Sequence, residues 1–207
     1  MNDRLRSKPA VRSKPLSGPF SPLKAINGSN QMTNYIDYQQ EERSIDLLDG
    51  DLATALEYWR SLSTDGRVPR WDEFDLMKLP LNLVGLTHVF DTIEGGKDFH
   101  CRFWGTKLAE IFGFDVTGRT AATMHPSQDF CQMVLKELNE TTRSEKPRTT
   151  STFVMNKNER VVCLEILRLP LTDKSGNVVH CITITVLKGD KDQIQKTHIN
   201  KYHKTLN

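Results

Sequence analysis

The stretch 83–104, LVGLTHVFDTIEGGKDFHCRFW, decides the fold. Leu83 to Ile93 is rich in aliphatic and aromatic residues and reads as a strand. Glu94-Gly95-Gly96 supplies a tight turn, and Lys97 to Trp104 the returning hairpin partner. Working outward from the hairpin, Gly105 breaks the second strand. Leu108, Ile111 and Phe112 then fall on one side of a brief helix ended by Gly113. Ser127 can cap a longer helix with Phe130, Met133, Val134 and Leu138 on one apolar face, and Pro147 prevents its continuation. Upstream, Asp51 is a good N-cap and Leu52, Ala55, Leu56 and Trp59 recur at helical spacing, which predicts a helix over 51–62 with Gly66 as its stop. A short turn follows at Trp71 to Lys78.

The rest is strand-rich: Thr149 to Met155, Arg160 to Leu169 and Val178 to Leu187. They are joined by Asn156-Lys157-Asn158 and by the turn formers from Asp173 to Asn177. Strand runs separated by a helical block, rather than strict alternation of strand and helix, indicate an α+β fold with an antiparallel sheet. The expectation is five strands with helices on one face, plus an N-terminal helix.

Composition narrows the function. The chain has 207 residues, 37% hydrophobic and 26% charged, which suffices for one well-buried core. No apolar run approaches the roughly 20 residues of a membrane span, and the N-terminus lacks the apolar stretch of a secretory signal, so the expected location is the cytoplasm. The four cysteines, Cys101, Cys131, Cys163 and Cys181, are widely spaced without a CxxC pair and read as reduced core thiols. Residues 1–45 form a basic, Pro- and Ser-rich arm expected to be disordered, with Arg4, Arg6, Lys8, Arg12, Lys14 and Lys24 in its first half. Residues 46–187 form the folded domain, and 188–207 a polar tail. The net charge of +2 says little about partners, since a nucleic-acid-binding domain normally shows a much stronger or more clustered excess, and nucleic acid is not the expected partner. The alternative is a nucleic-acid-associated regulator in which the arm neutralises phosphates while the domain only dimerises.

Several motifs resemble the PAS family, and most closely the single-domain PAS proteins of alphaproteobacteria. Leu56-Glu57-Tyr58-Trp59-Arg60-Ser61-Leu62 resembles the opening "YW..L" helix, and Gly66-Arg67-Val68-Pro69-Arg70 the "G..P.R" segment. Arg102-Phe103-Trp104-Gly105-Thr106-Lys107-Leu108 is similar to the "yRl.Gt.l" strand-to-helix junction, and Phe112-Gly113-Phe114-Asp115-Val116-Thr117-Gly118 to the "fG.dlTG" loop. Leu167-Arg168-Leu169-Pro170-Leu171 resembles the "lPL..dg" strand end. Trp104 stands where a smaller apolar residue is expected, and this narrows the pocket. The resemblance implies a sensory module that binds a small ligand or docks. It would relay a change of shape to a signalling partner such as a histidine kinase or response regulator, as a homodimer. The helix at 51–62 resembles the amphipathic helix many PAS domains use to dimerise, with Leu52, Leu56 and Trp59 facing the partner; it can equally cap its own sheet.

Candidate pocket residues come from period-two alternation. Val84, Leu86, His88 and Phe90 share one face of the first strand, and His180, Ile182, Ile184 and Val186 one face of the last. His88 and His180 would then approach a common cavity joined by Phe112 and Met124. Such a pair can titrate near neutral pH, but two histidines without a third ligand are weak evidence for a metal. Arg102 shares a face with His100 and Trp104, and either holds an anionic ligand or pairs with Glu165. Haem, with His125 as the axial candidate, and flavin, which would need a reactive cysteine where Cys131 lacks the motif, are both disfavoured. No nucleophile elbow, HExxH or two-carboxylate arrangement occurs, and Glu94-Gly95-Gly96-Lys97 lacks P-loop spacing. The expectation is a protein without catalytic activity.

Overall fold

A computed structural model describes residues 37–156 and 159–188. The basic stretch before residue 37, the tail beyond 188 and part of the 156–158 turn lie outside the described residues. In chain order the elements are β1 (Asp37–Arg43), α1 (Gly50–Leu62), α2 (Leu81–Val84), β2 (Thr87–Ile93), β3 (Asp98–Trp104), α3 (Thr106–Phe112), α4 (Gln128–Ser144), β4 (Arg148–Asn156), β5 (Glu159–Thr172) and β6 (Val178–Lys188), with short 3-10 turns between. The strands form one antiparallel sheet in the order β1-β4-β5-β6-β2-β3.

The β2–β3 hairpin closes as its sequence requires. Glu94, Gly95 and Gly96 take φ of 45°, 69° and 97°, a left-handed run that two glycines make inexpensive. Ser127 caps α4 by accepting the Phe130 N–H, and Gly113 ends α3 at φ 77°.

Three features differ from the sequence expectation. The sheet has six strands, because β1, within the stretch assigned to the arm, pairs with β4 from Thr149 to Met155. DYQQEER has no apolar alternation to betray it, since an edge strand is held by its backbone ladder and tolerates polar side chains. The strand expected from Leu83 begins only at Thr87: Pro80 starts a single helical turn, α2, that places Leu83 in the core and takes Val84 off the strand. The third difference is that both faces of the sheet are covered. On one, α3 and α4 lie over Phe90, Phe99, Cys101, Leu164, Ile166 and Cys181. On the other, α1 lies over Val89, Leu167, Leu169, Leu171, Ile182 and Ile184. Period-two alternation separates these two sets on β2, β5 and β6, and each fully buried aliphatic or aromatic side chain stabilises the fold by about 1.5–3 kcal/mol.

The 66–73 segment fastens α1 to the sheet. Arg67 grips Glu73 with two hydrogen bonds of 2.7 and 2.8 Å, and Thr172 N–H donates to the Pro69 carbonyl at 2.9 Å. Hydrogen bonds from Arg67, and then from the Arg70 backbone, hold the Glu73 carboxyl down at about 2. The "G..P.R" segment is thus a structural clasp.

Candidate functional site: a buried polar cavity between the sheet and its helices

β2, β5 and β6 present alternate residues to the space beneath α3 and α4. There they line a cavity of about 40 Å³ with Phe112, Met124, Phe130 and the inner face of α4. His88 and Phe90 enter from β2, Trp104 from β3, Leu164, Ile166 and Arg168 from β5, and Thr183 and Thr185 from β6. The His88 and Trp104 rings lie 4.9 Å apart and the Trp104 and Phe112 rings 5.9 Å apart.

Arg168 is the unusual member. It is 3% exposed, and its Nη1 donates to Thr150 Oγ1 at 3.1 Å and lies 3.6 Å from Glu137 Oε2, itself on a 4% exposed residue of α4. At 3.6 Å the two charges attract without a direct hydrogen bond. Burial lowers the Arg168 guanidinium and the Glu137 charge works the other way, yet a guanidinium keeps its proton throughout the range in which proteins fold. Burial, seconded by the Arg168 charge, pushes His88 down to about 3, so the imidazole is neutral. Among the described residues, His88 Nδ1, Trp104 Nε1, Arg168 Nε and Glu137 Oε2 are buried without hydrogen-bond partners. Each such group costs about 1–3 kcal/mol.

Of the sequence candidates, His88, Phe90, Phe112 and Met124 line this cavity. His180, Ile182 and Ile184 do not: they share a face as expected, but it is the face under α1, and β6 turns Cys181, Thr183 and Thr185 inward instead. Alternation sorts residues into two sets, and with both sides buried the more apolar set is not marked as the inner one. His88 and His180 therefore lie on opposite faces. Leu86 packs at the margin of both clusters. Arg102 is also elsewhere. Val89 pairs with Phe103 and Phe90 with Cys101, so Arg102 is the extra residue of a β-bulge, and the bulge puts His100 and Trp104 on opposite faces. Arg102 pairs not with Glu165 but with Asp91, at 2.8 Å, and Glu165 meets Lys188 at 3.4 Å. Asp91 also receives His180 at 2.7 Å, with the Trp71 ring packed against that histidine at 4.6 Å and a tilt of 42°. Burial works against the Asp91 carboxylate, but the hydrogen bonds from Arg102 and His180 outweigh it and hold it below its usual range.

Leu52, Leu56 and Trp59 are 3%, 2% and 6% exposed, all packed on the chain's own sheet. They are not available to a partner in this arrangement.

Sequence reasoning missed Arg168 and Glu137. The signal was present: Arg168 falls in register with Leu164 and Ile166 on an apolar strand, and Glu137 three residues after Val134 on the apolar stripe of α4. A charge inside an apolar repeat is a buried charge.

Neither cofactor fits. A cavity of about 40 Å³ falls well below the roughly 300 Å³ at which pockets for drug-sized ligands begin. Both ring nitrogens of His125 are engaged, Nδ1 accepting the Ser127 N–H at 2.9 Å and Nε2 facing Tyr38 Oη at 3.4 Å. The Cys131 thiol donates to the His125 carbonyl, and burial raises it above the ordinary thiol range. No group of three His, Cys, Asp or Glu side chains among the described residues is placed to hold a metal. No described helix is long and apolar enough to cross a membrane.

No curated protein matches the sequence. Similar solved structures include the PAS domain of Bordetella pertussis BvgS, 15% identical, covering 64% of this chain and 98% of that one at a TM-score of 0.42. Vibrio cholerae VqmA is 13% identical, covering 56% of this chain and 52% of that one at 0.40. A light-oxygen-voltage domain studied with a flavin analogue is 15% identical, covering 57% of this chain and 87% of that one at 0.37. A family model for the PAS domain matches residues 51–185, from the first turn of α1 almost to the end of β6, and the chain belongs to the PAS domain family.

Proposed function

We propose that this domain is a non-catalytic sensory and regulatory module that takes a small polar ligand into the cavity between sheet and helices. It passes the resulting shift in conformational populations to a signalling partner. The observation that carries this reading is the convergence of three unpartnered polar groups, on His88, Trp104 and Arg168, on one cavity. A core meant only to be stable would fill this space with apolar atoms, because half-satisfied buried polar groups are worse than none. The volume suits an occupant of a few heavy atoms. The partner we favour is a histidine kinase or response regulator met in the cytoplasm, with the module working as a homodimer. Dimerisation would use surface other than Leu52, Leu56 and Trp59, which are occupied by the sheet. Within the PAS family, the narrower affinity we favour is with the single-domain PAS proteins of alphaproteobacteria, which the motifs quoted above resemble.

Native and denaturing mass spectrometry of the protein purified from cells, together with titration against a panel of small polar metabolites, tests the reading. A co-purifying mass lost on denaturation, or a saturable response within the panel, supports it. A folded protein that retains and binds nothing leaves docking as the module's role.

A further inference from the structure

Three nitrogens on residues that line the cavity have no hydrogen-bond partner. Trp104 Nε1 and Arg168 Nε can only donate, both are buried on residues 7% and 3% exposed, and neither has a partner. His88 Nδ1, on a residue 8% exposed, is equally unpartnered and adds a donor in one of its two neutral tautomers. The rest of the wall is mainly apolar, built by residues such as Phe90, Phe112, Met124 and Leu164, with Thr152, Thr183 and Thr185 among them. The unpartnered nitrogens ask for acceptors and negative charge, and the apolar lining for methyl or methylene groups.

Resting on the reading that the cavity holds a ligand, we propose that the ligand class is a small monocarboxylate, and that Glu137 is the resident carboxylate it displaces from Arg168. The Arg168–Glu137 pair is only half made: the charges lie 3.6 Å apart, and Arg168 Nε and Glu137 Oε2 both lack hydrogen bonds. A ligand carboxylate reaching Arg168 Nε and Trp104 Nε1 would form charge-assisted bonds that Glu137 does not make. Two carboxylates around one desolvated guanidinium repel each other, so the arriving anion drives Glu137 away. Glu137 sits within α4, the 17-residue helix packed on β5 and β6, so its displacement removes an ionic contact between that helix and the sheet. The space of about 40 Å³ holds about three or four waters, at about 10–15 Å³ each, which sets the scale at formate, acetate or propionate.

The test follows the Trp104 indole N–H resonance during titration of the full chain with acetate and, separately, with acetamide, its neutral isostere. The proposal expects a saturable shift with acetate and none with acetamide. Half-saturation should fall about tenfold in Glu137→Gln, which removes the competing charge while keeping the shape. The response should be lost in the double variant Arg168→Met with Glu137→Gln, which leaves no uncompensated buried charge. Equal shifts with acetate and acetamide would overturn the carboxylate assignment while leaving the ligand-binding reading intact. An acetate response unchanged in Glu137→Gln would overturn the displacement. No shift with either probe, in a protein that does bind another small molecule from the panel, would overturn the assignment alone, whereas silence towards every probe would overturn the ligand reading with it.

Discussion

The Trp59 indole donates a 2.8 Å hydrogen bond to the Pro170 carbonyl across 111 residues of sequence. β4 pairs with β5 only as far as Arg168, so beyond that residue the β4 side of the strand is open, and a proline there costs no ladder hydrogen bond. The indole takes a carbonyl that no strand reaches and so ties α1 to the sheet.

Trp59→Phe keeps most of the ring but abandons that carbonyl, and should cost about 1–2 kcal/mol. Trp59→Ala removes the packing as well and should cost about 3–5 kcal/mol. Urea unfolding midpoints measure both; equal, small losses would mean that α1 does not depend on this contact.

Gly105→Ala has no room. A Cβ at that position would collide with the Gly85 carbonyl oxygen and meet the Thr87 carbonyl oxygen at 2.8 Å, both backbone atoms. Overpacking of this kind costs at least about 1–3 kcal/mol, and the thermal midpoint should fall accordingly. Gly118→Ala, by contrast, meets nothing within 4 Å and strains only its own φ of 83°.

His88 should dominate the acid side of the stability curve. Its ordinary value is 6.5 and the folded protein holds it at about 3, so the unfolded chain binds the proton more readily. This group therefore leaves stability untouched above about pH 6.5, and as pH falls below that value it removes about 1.4 kcal/mol per pH unit until the folded value is reached. Denaturation of wild type and His88→Leu at pH 7 and pH 5 should show the pH-dependent loss reduced in the variant. Equal losses would mean that His88 is solvated or already paired.

Cys101, Cys131 and Cys181 should be inert in the native state. Burial pushes Cys101 up to about 12 and Cys181 to about 11, and raises Cys131, so almost no thiolate is present at neutral pH. With a chromogenic disulfide reagent at pH 8, only the half-buried Cys163 should react quickly. The other three should follow on unfolding, and a second fast thiol would contradict the packing of the inner core.

The local elements were legible because their signals are local. The Glu94-Gly95-Gly96 turn, the Ser127 cap, the Gly113 stop and the apolar stripes of α1 and α4 depend on φ preferences and spacings that a chain carries wherever it goes. The α+β class followed from their order. The sixth strand was not legible, because DYQQEER becomes a strand only when β4 offers it a ladder. Nor was the side of each residue. Alternation assigns His180, Ile182 and Ile184 to one set, but only the docking of α1 on that face decides that the set is not the cavity. The bulge at Arg102 has no sequence mark and separates His100 from Trp104. His88, Phe90, Phe112 and Met124 line one cavity because β2 turns the first two toward the side that α3 and α4 cover. Arg168 and Glu137 could be read as charges in apolar repeats, but that the two meet at 3.6 Å beside a cavity is a fact of tertiary structure. Sequence sets what each segment prefers, and the packing of α1 and α4 on opposite faces decides which side chains share a space.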